Sequence, residues 1–196
     1  SKLKFLRCLC NCSIALSLVQ NHSADMTLFP PTREAALARI ASVDPAEYSR
    51  SRNALNGAVT QLSPYITHGF ISLPEVLEGV RLHHSVRTQD KFVFELGWRE
   101  YFRHVWQHRG NGIFKSLHEG VLPDEAYADK IPFDILHAST GVAAIDMAVK
   151  TLYATGYLHN HARMWLASYM VHLRKVHWRA GADWMVGHLL DGDLAS

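Results

Sequence analysis

From Phe29 onward the apolar residues recur at helical intervals, and no segment carries a sustained run of alternating β-branched residues. That pattern leaves little room for a sheet and predicts an all-α fold of six to eight helices in one domain. Thr32 is placed to cap a helix from Arg33 to about Ser42, with Ala36, Leu37, Ile40 and Ala41 on one stripe. Ser72-Leu-Pro-Glu75 reads as a capping box with Pro74 in the first turn, and Leu73, Val76, Leu77 and Val80 follow on one face. Thr88 opens the next helix and Arg109-Gly110 closes it; Thr140 opens another, stopped by Thr155-Gly156. Leu158 to Trp178 is apolar on nearly every face, which predicts a central buried helix, and Ala182 to Leu190 adds a last one. Asn111 to Leu136, with Pro123 and Pro132, is the longest irregular stretch. Of the 196 residues 48% are hydrophobic and 19% charged, enough for a packed core and too apolar for wholesale disorder.

Residues 1–25 differ from the rest. Lys2, Lys4 and Arg7 precede the apolar run Ile14 to Val19, as in a signal peptide, but the run is short and no A-x-A site follows. Three readings stand: a segment upstream of a natural start at Met26, a signal peptide, or an ordinary structured arm. The three cysteines, Cys8, Cys10 and Cys12, all lie here and lack a fourth ligand at fixed spacing, so neither a metal site nor a disulfide framework is expected. The remaining chain suits a reducing, cytoplasmic compartment. A net charge of +2, from 20 basic and 18 acidic residues, does not by itself demand a nucleic acid. There are 13 histidines, yet His104 with His108 and His159 with His161 lack carboxylates at ligand spacing, so no metal site is expected. No 18-residue apolar run exists, so no membrane partner is expected. Walker, dinucleotide and nucleophile-elbow motifs are missing.

Three constellations can carry chemistry. Asn56 to Gly69 crowds hydroxyls and amides into a segment broken by Gly57, Pro64 and Gly69; Thr60 and Ser63 are donors suited to a phosphate, or to helix capping in a plain turn. Glu95, Trp98 and Arg99 share one helical face, which suits a cavity for a flat polar ring, or else an ion pair beside a core indole. Asn160 and Arg163 share a face on an otherwise apolar helix. A buried Arg163 needs a carboxylate, and Asp191 or Asp193 in Leu190-Asp-Gly-Asp-Leu194 can supply it, as a ligand-holding pair or a fold-locking one.

In order and spacing, Leu62-Ser-Pro-Tyr-Ile-Thr-His-Gly-Phe-Ile-Ser72, Glu95-Leu-Gly-Trp-Arg-Glu-Tyr101, Thr155-Gly-Tyr-Leu-His-Asn160, Arg163-Met164 and Asp191-Gly-Asp-Leu-Ala195 resemble the all-helical FAD-binding domain of the cryptochrome and DNA photolyase family. The resemblance runs from about Phe29 to the end, so residues 26–196 form the domain and 1–25 lie outside it. It implies FAD in a U shape. Tyr48 and the loop Thr60, Gln61, Leu62 and Ser63 would hold phosphates and ribityl. Arg99 and Asn160 would line the pocket, Arg163 would pair with Asp191 beside the ring, and Asp193 would face its polar edge. Glu95 and Trp98 match the residues that meet a flipped pyrimidine dimer, which implies a carbon–carbon lyase (a deoxyribodipyrimidine photo-lyase) acting on DNA by electron transfer from excited reduced flavin. Arg103, Arg109, Arg174, Lys175 and Arg179 would touch phosphates.

Departures from the family pattern shape the expectation. The phosphate loop, commonly Thr-Ser-Arg-Leu-Ser, reads Val59-Thr-Gln-Leu-Ser63, with one hydroxyl and one guanidinium fewer. The antenna-carrying α/β domain is not in this sequence, so a separate antenna protein is a candidate partner. The domain is read as incomplete at its carboxyl end, before the family's asparagine near flavin N5. Trp178 matches the middle tryptophan of the electron relay, while Ile135 aligns nearest the outer one; Trp184, Trp165 and Tyr169 offer another route. The family's Thr-Gly-Tyr-Pro reads Thr140-Gly-Val-Ala. Three functions follow in order: a dimer-repairing lyase, a cryptochrome-like light or redox sensor without repair, and a binding module that has lost flavin.

Overall fold

A computed structural model describes residues 28–195. The expectations for Cys8, Cys10, Cys12 and the apolar run before Met26 lie outside the described residues. Those described are helical, with no strand beyond one isolated bridge between Ala128 and Val176. The α-helices are α1 (Arg33–Ala41), α2 (Pro45–Ser51), α3 (Ser63–Thr67), α4 (Leu73–Arg81), α5 (Lys91–Arg109), α6 (Phe133–Leu136), α7 (Ala143–Thr155), α8 (Asn160–Ser168) and α9 (Trp178–His188). That is nine among the described residues rather than six to eight. The excess is in short pieces such as α3 and α6, which have too few turns to show a periodic stripe.

The strongest local signals act as expected. Thr32 accepts from the Ala35 amide at 3.2 Å. Ser72 and Glu75 make both bonds of a capping box, and Glu75 also receives Arg33 at 2.5 Å, tying α4 to α1. Arg33 and the two Ser72 donors hold the Glu75 carboxyl down at about 2. Gly156 ends α7 with φ +64°, a conformation that costs a residue with a Cβ. Two starts shift inward. Asp90, not Thr88, precedes α5, and its carboxylate takes the Arg87 amide at 2.7 Å instead of capping. Thr140 lies three residues before α7, folded onto Asp146 by a 2.6 Å hydroxyl bond.

The largest correction is the stretch from Leu158 to Trp178. It is not one buried helix: α8 widens into a π turn at Tyr169–Leu173 and stops at Arg174. Lys175 takes φ +53°, and the chain then pairs with Ala128 through Ala128 N to Lys175 O at 2.7 Å and His177 N to Ala128 O at 2.8 Å. The final helix therefore starts at Trp178. Nor is the stretch buried all round: Met164 is exposed and lines a cleft.

Two apolar clusters stabilise the chain. One gathers Ile40, Leu62, Tyr65, Val76, Val80 and Phe92 from α1 to α5; the other gathers Ile135, Val149, Leu152, Leu166, Met170 and Val176 from α6 to α9. Each fully buried aliphatic side chain contributes about 2 kcal/mol. Leu37 and Ala41, assigned to the α1 stripe, are exposed, so α1 buries only Ala36 and Ile40.

Candidate functional site

Where the two clusters meet, α5 faces α8, the π turn and α9 across a cleft of about 780 Å³. That size suits a small-molecule or cofactor site. Its walls are mainly apolar, including Phe102, Ile113, Met164, Met170 and Val186. Its polar groups include Ser63, Arg99, Asn160, Arg163, Asp191 and Asp193, and the Arg179–Asp183 pair also lines it. A side pocket of about 140 Å³ shares Ser63 and Arg99 with it and adds Tyr48, Thr60, Leu62 and Glu95.

Asp191 forms the floor. It is 5% exposed, and a carboxylate so buried persists only if paired and hydrogen-bonded. Arg163 Nη2 donates to both its oxygens at 2.9 and 2.8 Å, and the Ser63 hydroxyl donates at 2.5 Å. Arg163 Nε also donates to the Leu158 carbonyl at 2.9 Å, which fixes the guanidinium plane. The chain can turn beneath this pair because residue 192 is glycine: a Cβ there would lie 2.6 Å from the Val186 carbonyl. Since Ser63 starts α3 and Asp191 follows α9, the floor spans 128 positions of sequence and joins the two clusters.

Arg99 stands above the floor. It donates to Thr67 Oγ1 at 3.0 Å and lies 3.7 Å from Asp193. Burial pushes its pKa down while Asp193 and Asp191 oppose that, and a guanidinium so placed stays cationic. Asn160 is exposed to the cleft and bonded only weakly, to the Met164 sulfur at 3.7 Å, so its carboxamide is available to a ligand.

The other expected residues divide. Tyr48 and Thr60 line the side pocket; burial and then Glu95 push the Tyr48 phenol up, keeping it a neutral donor. The Leu62 side chain is 2% exposed in the core, leaving only its backbone for a ligand. Gln61, at φ +52°, turns to Arg39 at 2.5 Å and lines neither cavity. Ser63 gives its hydroxyl to Asp191, so phosphate donation is left to its amide and to Thr60. Glu95 lines the side pocket between Lys91 at 2.8 Å and Arg52 at 3.2 Å. Trp98 is 42% exposed, neither in the core nor in the cleft wall; it stacks at 5.9 Å on Phe102, which does line the cleft. Trp178 lines the cleft and donates to Ser116 Oγ at 2.8 Å. Of the expected phosphate contacts, Arg174 is taken by Asp134 at 2.5 Å and Arg179 by Asp183 at 2.8 Å. Arg103 and Arg109 are exposed on α5, without ion pairs among the described residues.

The capping roles of two histidines escaped the sequence reading, which weighed His159 only as a metal ligand. His159 accepts from the His161 amide at 3.1 Å, capping α8, and its other nitrogen donates to the Arg52 carbonyl at 3.0 Å. That pair of bonds defines a neutral imidazole, and burial, then His161, pushes its pKa down. His177 caps α9 in the same way, through the Arg179 amide. Histidine is not among the favoured capping residues, so composition alone carried no signal.

A family model described as the FAD binding domain of DNA photolyase matches residues 92–196, more than half of the chain. The chain belongs to the DNA photolyase and cryptochrome family. Among its relatives is a chloroplastic/mitochondrial cryptochrome DASH of Ostreococcus tauri, 35% identical over 161 residues, covering 77% of this chain and 29% of that protein. A deoxyribodipyrimidine photo-lyase of Synechococcus is 29% identical over 185 residues, covering 85% and 37%. The cryptochrome structure from Synechocystis superposes with a TM-score of 0.71 at 26% identity, over 84% of this chain and 36% of that one. The chain thus spans about a third of the length of these relatives. FAD is the cofactor of the matched domain, and the cleft suits it. Apolar walls fit a flat ring system, an available Asn160 amide fits its hydrogen-bonding edge, and Arg99 with the side pocket fits anionic phosphates. Among the described residues no helix is long and apolar enough to cross a membrane.

Proposed function

We propose that this domain supports light-driven repair of pyrimidine dimers in DNA, as a carbon–carbon lyase. Bound FAD, in its reduced form, would supply one electron on excitation and take it back once the dimer's carbon–carbon bonds have split, so the repair consumes no net reductant. The chain's own residues would do the rest. Arg163 and Asp191 would hold a fixed dipole beside the flavin, while Asn160 and Arg99 would orient it. Asp193 would meet the polar edge, and Tyr48, Thr60 and the Ser63 amide would address the phosphates and ribityl, with Gln61 left holding Arg39. Glu95 accepts a hydrogen bond from the extruded lesion, Trp98 packs on the splayed bases through the aromatic edge it shares with Phe102, and Trp178 passes electrons. The observation that carries this reading is the placement of Glu95 on α5, one helical turn from both Trp98 and the cleft-lining Arg99. Damaged bases cost least to unstack, which favours such a site over an intact duplex. A cytoplasmic setting and a separate antenna protein belong to the same proposal.

A specific observation favours the second reading, a light or redox sensor without repair: Glu95 is clamped by two cations, and Arg174 and Arg179 are engaged internally rather than offered to phosphates. Anaerobic blue-light treatment of the flavin-loaded, reduced protein with a thymine-dimer oligonucleotide separates the two. Restored thymines, lost in Glu95→Ala, support repair. Bound flavin with no splitting supports sensing.

A further inference from the structure

A second cavity, of about 370 Å³, lies behind Trp178, between the 113–127 segment and the start of α9. It shares Ile113, Val171 and Trp178 with the main cleft, so these side chains form a partition between the two. The partition is fixed, because Trp178 Nε1 donates to Ser116 Oγ at 2.8 Å on the near lip. The far side is built as closely. Tyr127 crosses the His177 ring edge-on at 6.4 Å and receives the Leu122 amide at 3.4 Å. Residue 120 must be small there, because a Cβ would sit 3.0 Å from the Tyr127 hydroxyl and 3.1 Å from the Leu122 carbonyl.

The polar groups in this cavity are mostly donors. The Ser116 and Tyr127 hydroxyls each accept one bond and keep their own proton to give. Lys115 and His118 line the cavity and meet no carboxylate within ion-pair distance among the described residues. The single acid in the lining, Asp124, faces His177 at 3.9 Å. Donors around an aromatic floor favour a flat apolar body that carries a negative charge. We propose that this cavity is a ligand site separate from the flavin cleft, taking small planar anions of the aromatic carboxylate class, with Lys115 as the charge partner and Trp178 as the shared wall. Its volume is at the small end for ligand sites, which suits a single ring and excludes a dinucleotide.

The test is isothermal titration of the protein as purified, flavin included, with 4-hydroxybenzoate and with its neutral isostere 4-hydroxybenzamide. The expected result is saturable binding of the carboxylate, at least fivefold tighter than the amide, with no release of flavin. Lys115→Gln, an exposed position outside the flavin cleft, should erase the preference and leave flavin content and helical circular dichroism unchanged. Equal affinity for the two probes, an unchanged preference in Lys115→Gln, displacement of flavin, or no saturable binding up to about 10 mM would each overturn the proposal. A flavin-free preparation that still shows the charge preference would uphold the second site while counting against the FAD reading.

Discussion

Of the carboxylates that line the cleft and its side pocket, the chain treats two, Asp191 and Glu95, oppositely. Asp191 on the floor is almost fully buried and saturated, with Arg163 on both oxygens and the Ser63 hydroxyl behind it. Glu95 on the side pocket keeps 29% of its side chain exposed and is shared by two cations, Lys91 on α5 and Arg52 just after α2. The first arrangement cannot open without leaving a charge in a low-dielectric site, so it fixes the cleft in shape. The second can exchange one cation for another donor at small cost, because ion pairs this wet contribute little. A scaffold carboxylate and an exchangeable one thus stand on either side of Arg99.

The largest effect expected from breaking that contrast is on the floor. Arg163→Ala should lose about 3 kcal/mol in urea unfolding, since it strands Asp191 without a partner, and flavin retention should fall with it. Unchanged stability would show that Asp191 is not a structural charge. Next comes Leu166→Ala, which removes a side chain wholly buried in the second cluster away from either carboxylate. It should cost about 2–3 kcal/mol but leave one flavin per folded chain; flavin loss at full folding would place the cleft's rigidity in the core and not on the floor. Ser63→Ala should cost about 1.5 kcal/mol by removing a hydrogen bond to a charged group.

Glu95→Gln sharpens the other side. Its stability should change by less than about 1 kcal/mol and its flavin content not at all, while dimer splitting falls at least tenfold. A floor-sized stability loss would erase the distinction between the two carboxylates. The smallest effect is on pH. His159 has a folded pKa pushed below its ordinary 6.5, so the unfolded chain binds the proton more readily. The stability it lends is complete above about 6.5 and is lost as pH falls towards the folded value, because the protonated ring cannot accept the His161 amide. His159→Asn, which keeps a cap acceptor without the titration, should flatten stability between pH 7 and 5; an unchanged slope would remove the histidine cap from the account.

The sequence announced some of this clearly and some not at all. Caps with oxygen side chains at Thr32 and Ser72, and the glycine after Thr155, were legible because each acts within three or four residues. The Arg163–Asp191 pair was legible because a cation on an otherwise apolar helix demands a carboxylate. The break after Arg174 was hidden: nothing in Leu-Arg-Lys-Val176 marks a left-handed turn, and its partner, Ala128, lies 48 positions earlier in an irregular stretch. The same stretch misled in a second way. An all-apolar helix reads as buried in protein, yet part of its surface, at Met164 and Met170, lines the cleft. Gln61 and Trp98 show the limit of a motif, which fixes the order of residues but not which way a side chain turns.

The central claim is that the cleft between the two clusters holds FAD over the Arg163–Asp191 floor. It is tested most directly by the visible absorption spectrum of protein purified in the dark, with the released cofactor identified and helicity measured on the same sample. The account predicts a flavin spectrum and close to one FAD per chain, directly or after reconstitution. A folded, helical protein that takes up no flavin when FAD is supplied would contradict it.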